Sequence, residues 1–173
     1  QVAPGLAFII RPGGITAFSS PDAILKSLAG SNWDSEAVER LLPYLESVDL
    51  SDPVTARKVA DRARDLANSA PTPELKERLA MVAARGSFVA GQGQEALALL
   101  RPLLNSTTAA RRVRAAELSL DVLERTDPTH PAMDEVLAIL EADPNRRVLR
   151  FDGSLERKEL AVARARVLQT GKR

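Results

Sequence analysis

The chain has 173 residues, 45% of them apolar and only 3% aromatic; 24 basic and 23 acidic residues leave a net charge of +1, and there is no cysteine. This apolar share excludes wholesale disorder, the missing thiols exclude disulfides and thiolate zinc sites, and the balanced charge argues against a surface dedicated to nucleic acid. The length suits one domain with a sizeable core, and a mix rich in alanine and leucine suits close-packed helices better than a β-sandwich.

Residues 1–20 differ from all that follow. The apolar runs 6–10 and 15–18 flank a turn signal, Arg11, Pro12, Gly13 and Gly14. That pattern predicts a β-hairpin or an extended arm, and a two-stranded unit needs something to lie against. Phe8 and Phe18 are its candidate contacts, either with the end of its own core or with a partner or second subunit. The helical region is expected to run from residue 21 to the end of the chain. Ser20, Pro21 and Asp22 start a short helix with Ile24, Leu25 and Leu28 on one side, closed by Gly30. Residues 32–35 offer caps for the next helix, whose stripe is Val38, Leu41, Leu42, Leu45 and Val48, with Pro43 inside it. Trp33 and Tyr44 flank this region and read as packing residues.

After a break at residues 49–53, Ser51 or Asp52 caps a helix bearing Val59, Ala63, Leu66 and Ala67. Arg57, Lys58, Asp61, Arg62, Arg64 and Asp65 form its solvated side, with pairs at three- and four-residue spacing. Two hairpins follow. In the first, Thr72 is the N-cap, Pro73 the first helical residue and Glu74 a favourable charge in the first turn. Leu75, Leu79, Val82 and Ala83 make its stripe, and Gly91 to Gly93 break it. A second helix carries Ala96, Leu97, Leu100, Leu103 and Leu104 until Pro102 interrupts it. In the second hairpin the stripes are Val113, Ala116, Leu120 and Leu123, then Met133, Val136, Leu137 and Leu140, separated by a turn around Pro128 and Pro131.

Ala96 and Ala132 lie 36 positions apart near the starts of the second helices, and Pro144 closes the second unit. Two helices per unit at this period resemble the tetratricopeptide repeat, whose unit is about 34 residues. The resemblance spans residues 72–170. The family's large aromatic residues on the first helix are missing, and Leu120 stands where the family has a small residue. It implies stacked antiparallel helical hairpins in an α-α superhelix, with a concave face lined by the first helix of each pair and open to a peptide or partner protein. On those helices Arg78, Arg85, Arg111, Arg114 and Glu117 are the candidate partner-binding residues.

Beyond Pro144 a basic stretch with Arg146, Arg147 and Arg150 reads as an irregular connection. Ser154 then caps a final helix with Leu160, Ala163 and Val167 inward and Arg157, Lys158, Arg164 and Arg166 outward, a solvating end for the array. Arg111, Arg112 and Arg114 form the other basic cluster, and both clusters are interleaved with acids. His130 is the single histidine, so neither a histidine metal site nor a relay can be assembled around it. No phosphate loop or nucleophile elbow is present, and no catalytic residue, cofactor or metal site is expected. No run reaches the roughly 18 apolar residues of a membrane span. The start at Gln1 is that of a processed or trimmed chain and leaves cytoplasmic, periplasmic and secreted settings open. The expected function is a non-catalytic interaction scaffold within a larger assembly. The alternatives are an accessory helical domain of a larger enzyme, or a weak nucleic-acid binder acting through the arginine clusters.

Overall fold

A computed structural model describes residues 7–11, 14–18 and 35–171. The helix expected over residues 21–30, and Trp33 after it, lie outside the described residues. Strands β1 (Ala7–Arg11) and β2 (Gly14–Phe18) pair antiparallel, with Ala7 opposite Phe18 and Arg11 opposite Gly14. The remainder is mostly helical. Among the described residues there are seven α-helices: α1 (Ser35–Ser47), α2 (Pro53–Ser69), α3 (Pro73–Val89), α4 (Gly93–Leu100), α5 (Ala109–Thr126), α6 (Ala132–Ala142) and α7 (Lys158–Gln169).

Local chemistry sets most of the boundaries. Asp52 caps α2 by accepting from the Val54 and Thr55 amides, and Thr72 caps α3 by accepting from the Leu75 amide at 3.2 Å. Gly91, at φ +80°, ends α3 in the left-handed region that a side chain disfavours. Pro102 sits in a 3-10 turn, Arg101–Asn105, which closes α4. His130 marks the entry to α6, its Nδ1 accepting the Ala132 amide at 3.1 Å.

Each helix from α3 to α7 packs on the one before it, and the odd-numbered helices also touch in succession, α1 on α3, α3 on α5 and α5 on α7. The tightest approach is between α2 and α3. A Cβ on Gly86 would lie 2.6 Å from the Ala56 carbonyl oxygen and 2.9 Å from the Ala60 Cβ, so only glycine fits. Two hydrophobic clusters result. One joins α1, α2 and the first part of α3; the other runs from Ala84 through α4, α5 and α6 to α7.

Three expectations are corrected. Helix α5 is not striped: residues 115–123 are all buried, while Val113 is only half-buried. It lies between α3, α4, α6, α7 and β3, so every side meets a neighbour. The stretch after Pro144 is not irregular. It forms a second hairpin of β3 (Arg147–Leu149) and β4 (Leu155–Arg157), with Val148 opposite Glu156. Two carboxylates of α5 hold its first half: Glu117 accepts the Leu149 amide at 2.9 Å and Asp121 accepts the Phe151 amide at 2.5 Å. Carboxylates one turn apart on a helix are separated by about 6 Å of rise, and alternate strand amides by about 6.6 Å. The two repeats match, and α5 binds the end of β3 and the turn after it much as a neighbouring strand would. Helix α7, finally, starts after Arg157 rather than Ser154 and turns a different face inward. Ala161, Val162 and Ala165 are buried, whereas Leu160 and Val167 are 57% and 52% exposed. Arg164 sets this roll by reaching both Glu124 and Glu156.

The two alanines that carried the repeat also differ. Ala96 is fully buried in the interior of α4, but Ala132 is half-buried at the first position of α6, where Met133 takes the buried place.

Candidate interaction groove

A groove of about 800 Å³ opens between the end of α1 with the following loop, the last turns of α3, one side of α5 and the tip of the β3–β4 hairpin. Helix α3 contributes Arg85, Phe88 and Val89, three and four residues apart and hence on one face. Helix α5 contributes Arg114 and Arg125, eleven residues or close to three whole turns apart, again on one face. The hairpin adds Leu149, Arg150, Phe151, Asp152 and Gly153, and the α1 end adds Glu46, Asp49, Leu50 and Ser51.

Aromatic rings form the floor. Phe88 and Phe151 stack with centroids 4.6 Å apart and planes 23° from parallel. The Arg125 guanidinium lies over the Phe88 ring, 5.3 Å from its centroid, within cation–π range. Arg85 donates one hydrogen bond, at 2.8 Å, to the Glu46 carbonyl in the last turn of α1, where a cation also meets the negative end of the helix dipole. Among the described residues it forms no ion pair. Burial, and after it the charge of Arg114, push the Arg85 guanidinium below its ordinary pKa, with Asp49 in partial opposition.

Three other charges, Arg114, Glu46 and Arg150, are paired within the fold. Arg114 donates to Glu117 at 2.8 Å and to the Leu149 carbonyl at 2.5 Å. The Glu46 carboxylate is held by both arms of Arg78, at 2.9 and 2.7 Å. Arg150, only 7% exposed, meets Asp121 at 2.7 Å, Glu124 at 3.1 Å and also Glu156. Burial disfavours its charge, but the bond to Glu156 and the charges of Glu124 and Asp121 outweigh that and raise its pKa. Asp49 and Asp152 stand at the rim, each accepting amide hydrogen bonds from a serine two residues on.

Of the residues expected at a partner surface, the structure brings Arg85 and Arg114 together in the groove. Arg78 is spent on Glu46, Arg111 on Glu74 and Glu77, and Glu117 on the hairpin and Arg114. Phe8 lies opposite Ala17 and Phe18 opposite Ala7 in the first hairpin, and their side chains lie outside the described part of the structure. The two basic clusters are also divided. Arg112 donates to the Ser106 carbonyl, Arg150 is buried, and Arg146 and Arg147 remain on the surface. The expected solvated side of α2 does more than pair within itself, since Arg57 and Arg64 both cross to Glu95 on α4. Phe88, Arg125 and Phe151 were not anticipated. The three-residue step from Arg85 to Phe88 and the eleven-residue step from Arg114 to Arg125 were the available signals.

No protein-family model matches the chain, and neither a curated protein nor a solved structure matches it. Among the described residues no helix is long and apolar enough to cross a membrane.

Proposed function

We propose that this chain is a non-catalytic scaffold of the tetratricopeptide-like kind, and that its groove holds a segment of a partner protein. The observation that carries the reading is the position of Arg85 and Arg114. Both stand on helices that the repeat pattern makes the first of their pairs, and both line the same groove. The succession of contacts α1–α3–α5–α7 supports a stack in which the odd-numbered helices form one layer. A peptide laid against such a layer meets polar side chains for orientation and an aromatic floor for affinity.

Site-directed photocrosslinking in the source cell tests this. A benzophenone amino acid at Ser51, exposed on the groove rim, is expected to give a discrete adduct with a protein. The same group at Glu135, exposed on α6 and outside the groove, is expected to give none. Adducts absent from both positions would remove the scaffold reading and turn attention to an accessory role inside a larger enzyme.

A further inference from the structure

Among the described residues, four charges of the groove form no ion pair: Arg85 and Arg125, and the rim acids Asp49 and Asp152. Arg85 uses one of its five N–H donors on the Glu46 carbonyl, and Arg125 lies over the Phe88 ring. Among the described residues neither has a carboxylate within ion-pair distance. Burial and the charge of Arg114 disfavour the Arg85 guanidinium, Asp49 offsets them only in part, and an anion between the two arginines relieves the remainder. Arg114 and Arg125 leave α5 about 16 Å apart along the axis, a span of about five extended residues. The stacked ring pair adjoins the Arg125 guanidinium.

We infer that the groove binds an extended acidic peptide, with one carboxylate between Arg85 and Arg114, an apolar side chain on the Phe88–Phe151 pair and a second carboxylate at Arg125. This rests on the scaffold reading and specifies its ligand. The rim argues for isolated carboxylates over a continuous polyanion. Asp49 and Asp152 flank the two cationic ends and repel charge spread along a backbone, as in a nucleic-acid strand. A peptide that places its carboxylates at the two ends avoids them.

Heptapeptides from a random phage-displayed library, selected on the full chain and then synthesised with a fluorescein label, provide the test by anisotropy titration. The recovered peptides are expected to carry Asp or Glu on both sides of an apolar residue. Arg85→Gln is expected to weaken them about tenfold or more, the loss of a charge-assisted bond. Arg125→Gln, at a solvent-exposed position, is expected to weaken them about threefold. Arg85→Lys keeps the charge and should recover part of the affinity. If Arg85→Gln does not fold, as judged by its melting curve, Arg125→Gln and Arg85→Lys decide the matter. Peptides without acidic enrichment, or binding indifferent to the arginine variants, would overturn the proposal. So would equal displacement by a twelve-nucleotide oligothymidylate, which would favour nucleic acid. Val89→Trp, which fills the groove, separates this proposal from the reading beneath it. Peptides lost on Val89→Trp but indifferent to Arg85→Gln and Arg125→Gln leave the scaffold standing and remove the acidic ligand. Peptides indifferent to Val89→Trp remove both.

Discussion

The two hydrophobic clusters are built from the same residue types and held by different means. Around α1, α2 and the first part of α3 the core is apolar throughout, and helices approach until backbone meets side chain at Gly86. From Ala84 onward the core also encloses charge, and every buried polar or charged residue among those described, Glu117, Asp121 and Arg150 included, lies in this part of the chain. Its acids bind the β3–β4 hairpin that forms one wall of the groove. The first region gains order from small residues, which leave little choice of helix separation. The second gains it from ion pairs whose removal strands a charge away from water. The groove lies along the seam, with Leu50 from one side and Arg114 from the other.

The sharpest way to break this contrast is Arg150→Met. It leaves Asp121 without its cation and Glu124 with Arg164 alone, and a loss of about 3–5 kcal/mol is expected in urea unfolding. Gly86→Val attacks the first region instead. With its Cβ placed against the Ala56 carbonyl, about 2–3 kcal/mol should be lost despite the better helix propensity of any other residue. A pH series separates the two mechanisms. The bond to Arg164, opposed by burial and aided by Arg150, holds the Glu156 pKa below its ordinary 4.5. Its stabilisation is therefore complete above pH 4.5 and is lost as pH falls through the lower folded value. Glu156→Gln should flatten that acid limb of the urea midpoint, whereas Gly86→Val should shift the curve without changing its slope in pH. Arg78→Ala removes an exposed pair and should cost no more than about 1 kcal/mol. Leu160→Ser with Val167→Ser, on the outer face of α7, should change stability by no more than about 0.5 kcal/mol; a larger loss would mean that this face is covered in solution.

The contrast also explains what could be read from the residues alone. Thr72 and Asp52 were legible as caps and Pro102 as a helix stop because those effects act over one turn. The stripes of α1 and α2 were legible because these helices keep one side in water. Helix α5 defeats periodicity because it has no outer side along residues 115–123. Arg150 looked like a surface arginine since its three acids lie 29, 26 and 6 residues away and only folding gathers them. The outward turn of Leu160 and Val167 depends on where Arg164 finds Glu124, a tertiary fact with no local trace. In the groove, Arg85 and Arg114 could be chosen as polar positions beside apolar stripes. Phe88 could not be told from core until Phe151 was seen to arrive from a hairpin that the pattern had left irregular.

The match between one turn of α5 and the two-residue step from Leu149 to Phe151 bears on how this chain tolerates changes in length. Deleting one residue between Glu117 and Asp121 would swing one carboxylate about 100° around the helix and release half the hairpin. An insertion beside Gly153 falls beyond both contacts, at a φ of +83° where the chain is already turning back. Among descendants of this sequence, insertions and deletions should therefore gather at the hairpin tip, while the four-residue interval in α5 is inherited unchanged. The tip borders the groove, so the same asymmetry lets one wall of the binding surface vary in reach while its footing stays in place.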